Sequence, residues 1–444
     1  MKKWVGDSVL RVKISRPKSN IEESFTLYGD KSIAHRALIL GALPKGKYKI
    51  INFPLNRDCM TTLKCMNKLG VIIRQENSTL YVSSPGYEGF NKNVGTLDCE
   101  NSGTTVRLLS GVLSGIGAEC TLIGDSSLSK RPMSRIEIPL LKMGANIESN
   151  NGYIPINFKE CAVLEGITYE LPVASAQVKS CILIAGFLSD NNTTVIEKVS
   201  TRDHTERIFK YLGADIFVNS NSNSISISRS KIMSKDFYIP GDISSAAFII
   251  ACALLGENCK VTLKNVLLND GRIKYITLLK KMGALISIKE NGIVNGENIG
   301  DISVVSSKMY GIEIEEDIIP SIIDEIPVLA VISAFSNGTT SIHGIEELKY
   351  KESNRVESII KNLRNIGIEC NIVNDTIIIH GNDSIIDKTI SFESFNDHRI
   401  AMAFMAVAMR NKGCIIINNW ECTDVSFPNA ICYFNKFFDI RNVY

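Results

Sequence analysis

Apolar and polar positions along the chain follow a pattern that repeats six times. Residues 29–43, GDKSIAHRALILGAL, pass from a glycine–aspartate turn through a polar start into a small, apolar stripe (Ala34, Ala37, Leu38) that ends at Gly41. This is the pattern of a helix entered from a loop, with Ser32 placed as its cap. Similar starts occur at Asn101-Ser-Gly-Thr-Thr105, Ser175-Ala-Gln177, Asp242-Ile-Ser-Ser245, Asp324-Glu325 and Asp397-His-Arg399. With Ser32, Ser102, Ser175, Ser244, Asp324 and Asp397 as markers, the spacings are 70, 73, 69, 80 and 73 residues. Each helix leads through a turn into a short strand, as at residues 193–197, 260–263, 339–342 and 414–417.

A second helix in each copy ends in a shared signature, such as Lys142-Met-Gly-Ala-Asn-Ile147 or Lys281-Met-Gly-Ala-Leu-Ile286. The glycine reads as a left-handed C-cap and the residues after it as a new strand. The sixth copy lacks this ending. Periodicity of this kind marks a repeat architecture. A unit of some 70 residues is marginal alone, so several must share a core. Pro240-Gly241 divides the series into two groups of three, and residues 219–224 read as a hairpin turn. The order within a unit is strand, helix, strand, helix and two strands. That predicts an α/β fold, six βαβαββ-like units in all, and not a Rossmann domain, because no G-x-G-x-x-G follows a strand. An opening segment, residues 8–15, has strand character as well.

Composition narrows the function classes. The 444 residues are 45% hydrophobic and 22% charged, as in a globular protein. A net charge of +2 gives no reason to expect nucleic acid or an acidic membrane as partner. Twelve cysteines without a C-x-x-C pair predict buried, reduced thiols and no zinc or thiol-redox motif. The opening MKKWVGDSVL has no hydrophobic stretch behind its lysines, unlike a signal peptide, and the apolar runs 246–255 and 401–409 are too short to cross a membrane. The expected compartment is the cytoplasm.

Polar residues concentrate where helices begin. The first helix set offers Lys31, Ser32, Arg36, Asn101, Thr104, Arg107, Ser175, Gln177, Asp324, Glu325, Asp397, His398 and Arg399, and the second Arg57-Asp58, Lys130-Arg131, Arg202-Asp-His204, Asp270-Gly-Arg272 and Lys351-Glu-Ser-Asn-Arg355. Equivalent units would aim these ends to one side, and two groups of three face to face would enclose a cationic cleft. Helix N-termini attract anions by only about 0.3–1 kcal/mol each, so lysines and bidentate arginines must supply most of the binding. Such a cleft suits a small substrate, or two, bearing phosphates and carboxylates. Some of these residues also have plain structural readings. Asp242, Ser244, Asp397 and Asn101 read equally as caps, Arg107 as an internal ion-pair partner, His398 as a hydrogen-bonded structural histidine, and Asp270 with Arg272 as a local ion pair. Lys31, Arg131, Arg355 and Arg399 resist that treatment, because four units place a cation at the same relative spot.

The motifs Gly29-Asp-Lys-Ser-Ile-Ala-His-Arg36, Asn101-Ser-Gly-Thr-Thr-Val-Arg107, Lys130-Arg-Pro-Met133, Ser175-Ala-Gln-Val-Lys179, Arg202-Asp-His-Thr-Glu206, Ile323-Asp-Glu-Ile-Pro327, Lys351-Glu-Ser-Asn-Arg355 and Asn396-Asp-His-Arg399 stand in an order and at spacings that resemble the 5-enolpyruvylshikimate-3-phosphate (EPSP) synthase family of enolpyruvyl transferases. The resemblance covers nearly the whole chain. It implies two domains of three units each, residues 1–28 with 241–444 and residues 29–240, closing about a double-stranded hinge. It also implies transfer of the enolpyruvyl group of phosphoenolpyruvate to the 5-hydroxyl of shikimate 3-phosphate, with release of phosphate. By resemblance, Lys31, Ser32, Arg36, Ser175, Gln177, Arg202, Asp324 and Lys351 hold shikimate 3-phosphate, and Lys31, Gly103, Arg131, Gln177, Arg355 and Arg399 hold phosphoenolpyruvate. Asp324 matches the acceptor of the hydroxyl proton, Glu352 the acid/base at the methylene carbon, and Lys31 the stabiliser of the departing phosphate. No metal, cofactor, nucleic acid or membrane is implied, and a monomer is expected. The segment Cys422-Thr-Asp-Val-Ser-Phe427 carries no cation where some family members have a lysine. The sister family acting on UDP-N-acetylglucosamine has Lys-Asn in place of Lys31-Ser32 and a loop cysteine that residues 125–131 lack. A non-catalytic repeat scaffold would have no use for Asp324 and Glu352 among so many cations.

Overall fold

The structure is a computed structural model that describes residues 11–18 and 20–443. Residues 8–10 of the opening strand lie outside it; its remainder is the strand Arg11–Pro17. Six four-stranded sheets share one plan. In the second, Asn93–Asp98 pairs in parallel with Glu119–Ile123, which pairs antiparallel with Tyr153–Phe158, whose hairpin partner is Ile147–Asn150. A parallel pair needs a crossover, and the helix Gly103–Ile116 supplies it. The helix Ser134–Lys142 then leads into the hairpin. Strand, helix, strand, helix and two strands is the order read from the sequence. The strands Ile216–Asn219 and Ser224–Ile227 flank the turn expected at 219–224.

The crossover helices form the core, and the fourth and fifth are apolar all round. All thirteen residues of Ile243–Leu255 and all nine of Ile326–Ala334 are buried. Two of these helices touch backbone to backbone: a Cβ on Gly111 would stand 2.4 Å from the carbonyl oxygen of Cys181, so only glycine fits. The second helices are amphipathic and lie outside. Their terminal glycines, Gly70, Gly144, Gly213, Gly283 and Gly367, have φ between +86° and +101°, the left-handed cap foreseen from the repeat.

Three sheets lie between residues 46 and 238, and three draw on residues 11–26 and 260–443. The opening segment therefore belongs with the later half of the chain. Glu22–Thr26 pairs in parallel with Lys260–Leu267, and Arg11–Pro17 lies between Ile415–Asn418 and Phe438–Val443, completing the sixth sheet. The chain passes between the two groups twice, side by side. Gly29 bridges Gly241, the Asp30 N–H donates to the Pro240 carbonyl at 2.7 Å, and the Asp242 N–H donates to the Tyr28 carbonyl at 2.9 Å.

Three local expectations need correction. Asp30, not Ser32, caps the helix Lys31–Gly41, accepting from the Ile33 N–H at 3.0 Å. The helix begins two residues earlier than a Ser32 cap would require, which leaves Ser32 in the first turn. Asp242, Ser102, Ser175 and Asp397 do cap their helices, whereas Asn101 and Ser244 do not. Arg272 does not pair with Asp270. Its Nη1 lies 3.3 Å from Asp30 Oδ2, and Nη2 donates to Ser244 Oγ at 2.8 Å. Fully buried, Arg272 neutralises an aspartate 242 residues away in sequence that local reading could not supply.

Candidate active site

A cavity of about 840 Å³ lies between the two groups of units. Helix starts bring Lys31, Ser32, Gly103, Arg131, Ser175, Gln177 and Arg202 to its wall from one side, and Asp324, Lys351, Glu352 and Arg399 from the other. Two expected contacts do not line it. The Arg36 guanidinium is buried behind the wall, donating to Thr205 Oγ1 at 2.8 Å, Ser180 Oγ at 2.8 Å and the Ser32 carbonyl at 3.0 Å. Arg355 is also fully buried, and it organises the site from below.

Arg355 acts as a three-way fork. Its Nη2 donates to Glu352 Oε2 at 2.6 Å, its Nη1 reaches Asp324 Oδ1 at 3.3 Å, and its Nε donates to Asp397 Oδ2 at 2.8 Å. Asp324 also accepts from Arg202 Nη2 at 2.8 Å across the cavity and lies 3.4 Å from Arg399 Nε. Burial alone would raise the Asp324 carboxyl, but Arg399, Arg202 and Arg355 hold it well below the usual range. Glu352 behaves likewise: against burial, Arg355 and Arg131 (3.8 Å away) keep it ionised. Two carboxylates thus stand charged in a partly buried, cation-lined space.

The cations are tuned in opposite directions. Lys31 donates from Nζ to Asp58 Oδ2 at 2.7 Å, and this partner holds its ammonium above the ordinary value despite burial. The Asp58 partnership was not read from the sequence, since nothing local links the two helix starts. Burial pushes the Lys351 ammonium down to about 8, although Asp324 and Glu352 oppose the shift. Arg107 lines the cavity, so of its two readings the ligand contact stands and the internal ion pair does not. Its Nη1 donates to Gln177 Oε1 at 2.6 Å rather than to a carboxylate, and burial lowers it to about 10. Gly103 leaves room for this cluster: a Cβ there would lie 2.9 Å from Arg107 Nη1 and 3.2 Å from Arg131 Nη1. His398 lines the cavity too. It is buried, its Nε2 makes no hydrogen bond, and burial with Arg399 and Lys31 keeps it neutral, so the hydrogen-bonded structural reading fails at that nitrogen. From the C-terminal segment, Ser426 reaches the wall at the place where a lysine is missing.

Two polar features beside the cavity were not foreseen. Arg135 and Glu347 form a two-pronged pair between the halves, both contacts at 3.0 Å. Asp203, His204 and Glu297 present ligand-type atoms within 4.8 Å of one another. Here Glu297 Oε1 meets His204 Nδ1 at 2.8 Å and Oε2 accepts from Asn269 at 2.8 Å. Arg207 lies 3.7 Å from Glu297, and Arg272 meets His204 Nε2 at 3.2 Å. Arginines stand where an ion's charge would be.

Comparison with known proteins agrees with this geometry. The family profile described as EPSP synthase (3-phosphoshikimate 1-carboxyvinyltransferase) matches residues 15–434. A 3-phosphoshikimate 1-carboxyvinyltransferase of Clostridium tetani is 52% identical over 424 residues, covering 96% of each chain. One of Petrotoga mobilis is 40% identical over 423 residues, 95% of this chain and 98% of the relative. The solved EPSP synthase of Acinetobacter baumannii superposes with a TM-score of 0.86 at 37% identity, covering 98% of this chain and all of that one. With six repeated units, a cleft between two groups and these relatives, the chain belongs to the EPSP synthase family and has its two-domain enolpyruvyl-transferase fold.

Proposed function

We propose that this chain transfers the enolpyruvyl group of phosphoenolpyruvate to the 5-hydroxyl of shikimate 3-phosphate, releasing phosphate by addition and elimination. The observation that carries this reading is the pair Asp324 and Glu352, both ionised and both held by Arg355, in a cavity whose cations come from two sides.

In the addition step Asp324 accepts the hydroxyl proton while the oxygen attacks the enol carbon, and Glu352 delivers a proton to the methylene carbon. In the elimination step Glu352 retrieves that proton and phosphate departs, with Lys31 donating to it. The hydroxyl proton thus ends in solution or on phosphate, and Glu352 is restored. Ser32, Ser175, Gln177, Arg202 and Lys351 would hold shikimate 3-phosphate, while Gly103, Arg131 and Arg399 would hold phosphoenolpyruvate beside Lys31. Arg36 would brace the Ser32 turn from behind, and Arg355 would be reached by substrate only by displacing Glu352. That exchange gives Glu352 its proton: an anion that draws Arg355 or Arg131 away leaves a buried carboxylate with less reason to stay charged.

The side-by-side passage at Gly29 and Gly241 supports domain limits of 1–28 with 241–444 and 29–240. The substrate-facing residues named above all come from one chain, which favours a monomer. Twelve free cysteines, nine of them buried, favour a reducing compartment such as the cytoplasm; among the described residues no helix is long and apolar enough to cross a membrane. The test is phosphate release by purified protein, expected only with phosphoenolpyruvate and shikimate 3-phosphate together. Release with UDP-N-acetylglucosamine as acceptor instead would reassign the enzyme to the sister activity.

A further inference from the structure

The segment between the strand Thr193–Ile196 and the helix His204–Leu212 carries Arg202 into the cavity. It is an irregular stretch at the protein surface, with Val199 exposed, and such segments do not fix a side chain unless something holds them. Three buried charges hold it: Glu197 at its start, Glu206 in the helix that follows, and Lys179 beneath both. Lys179, 1% exposed, comes from the helix Ala176–Phe187 and contacts Glu206 Oε1 at 2.7 Å and Glu197 Oε2 at 2.8 Å. Its Nζ also donates to the Thr201 carbonyl at 3.4 Å. The other oxygen of Glu197 accepts from the Thr201 N–H at 3.1 Å and the Thr201 hydroxyl at 2.5 Å. The residue before Arg202 therefore has its carbonyl, amide and hydroxyl all bound to one ion pair.

The residue after Arg202 is held as well. Asp203 accepts from Arg207 Nε at 2.7 Å and, from the other half of the molecule, from Asn269 Nδ2 at 2.7 Å. Between these anchors the Arg202 guanidinium spans the cavity to Asp324.

We propose that Lys179 and Glu197 are positioning residues for Arg202, setting the peptide from which it reaches its ligand. Replacing a buried ion pair by apolar side chains is often neutral or stabilising, so stability alone gives little reason to place charges here. Directional hydrogen bonds to Thr201 are something an apolar contact cannot supply. Although burial opposes its charge, Glu206 and Glu197 keep the Lys179 ammonium above its ordinary range. The inference rests on the reading of Arg202 as a cation for shikimate 3-phosphate.

The test is a double-mutant comparison of Glu197→Gln with Arg202→Ala, following kcat and KM for each substrate along with the melting temperature. Glu197→Gln is expected to raise KM for shikimate 3-phosphate about tenfold, the scale of one charge-assisted hydrogen bond, and to leave KM for phosphoenolpyruvate within about twofold. Added to Arg202→Ala it should cause no further rise, because the side chain it positions is gone. Thr201→Val, which removes only the hydroxyl, should move the same constant in the same direction by less. It decides the matter if the glutamine variant does not melt cooperatively. Equal effects on both KM values, no effect, or additivity with Arg202→Ala in an active protein would overturn the inference alone. A wild-type protein inert toward both substrates would overturn the functional reading and this inference with it.

Discussion

Glu352 lies three residues before Arg355 and accepts a 2.6 Å hydrogen bond from its Nη2. An acid/base group held this tightly by a cation is a poor proton donor until the cation finds another anion. Phosphoenolpyruvate binding should therefore take up protons near neutral pH. Calorimetry in buffers of differing ionisation enthalpy measures the uptake, and Glu352→Gln should abolish it. The same variant should lower kcat by about 10²–10⁴-fold with smaller changes in KM, in keeping with general acid–base assistance.

Asp324 receives Arg202 from one side of the cavity and lies against Arg399 and Arg355 on the other. Asp324→Asn keeps the size but removes the proton acceptor. A kcat loss of about 10²–10⁴-fold is expected, again without matching loss of affinity. A variant whose defect lay wholly in KM would show Asp324 to be a binding group only.

Lys351 gives the free enzyme an alkaline limb. Its ammonium, pushed down to about 8, is charged below that pH and neutral above it. kcat/KM for shikimate 3-phosphate should fall as pH rises through about 8, since this ratio reports the free enzyme. Lys351→Met should lower the ratio at pH 7 and remove this limb. The pH–rate profile of the pair checks both.

Glu297 predicts a pH-dependent stability. Its folded-state carboxyl is raised from 4.5 to about 8, chiefly by burial. The folded protein therefore holds a proton that the unfolded chain has released, and this contribution is complete below 4.5 and lost as pH rises to about 8. Compared with Glu297→Gln, the wild type should lose stability from pH 5 to 8 and run parallel to the variant above that. Denaturant melts of both across this range give the difference directly, which removes the titration of His204 and Asp203 nearby.

The sequence was legible wherever a feature depends on spacing. Apolar crossover helices, glycine caps and strand order follow from local pattern, so they could be read off. Cations recurring at one place in several units pointed to a shared cavity for the same reason. What the pattern could not settle was the phase of a helix start, on which the direction of a side chain depends. Ser32 and Asp30 are both good caps, and a shift of two residues decides between them. Arg355 and Arg399 look alike in sequence, yet the first lies beneath the cavity and the second on its wall. Arg272 pairs with Asp30, and Arg135 with Glu347, because the two halves meet, and no local rule carries that information.

The strand Arg11–Pro17 has its hydrogen-bonding partners at the far end of the chain, as in the pairing of Val12 with Ile417. On the ribosome it emerges well before its neighbours Ile415–Asn418 and Phe438–Val443. At about 5–20 residues per second, the interval is on the order of 20–80 s. The sheets built from residues 46–238 can assemble within that interval, while Arg11–Pro17 stays unpaired. A strand edge waiting that long is a target for chaperones and for stray β-pairing, which makes nascent-chain solubility sensitive to the residues of Arg11–Pro17.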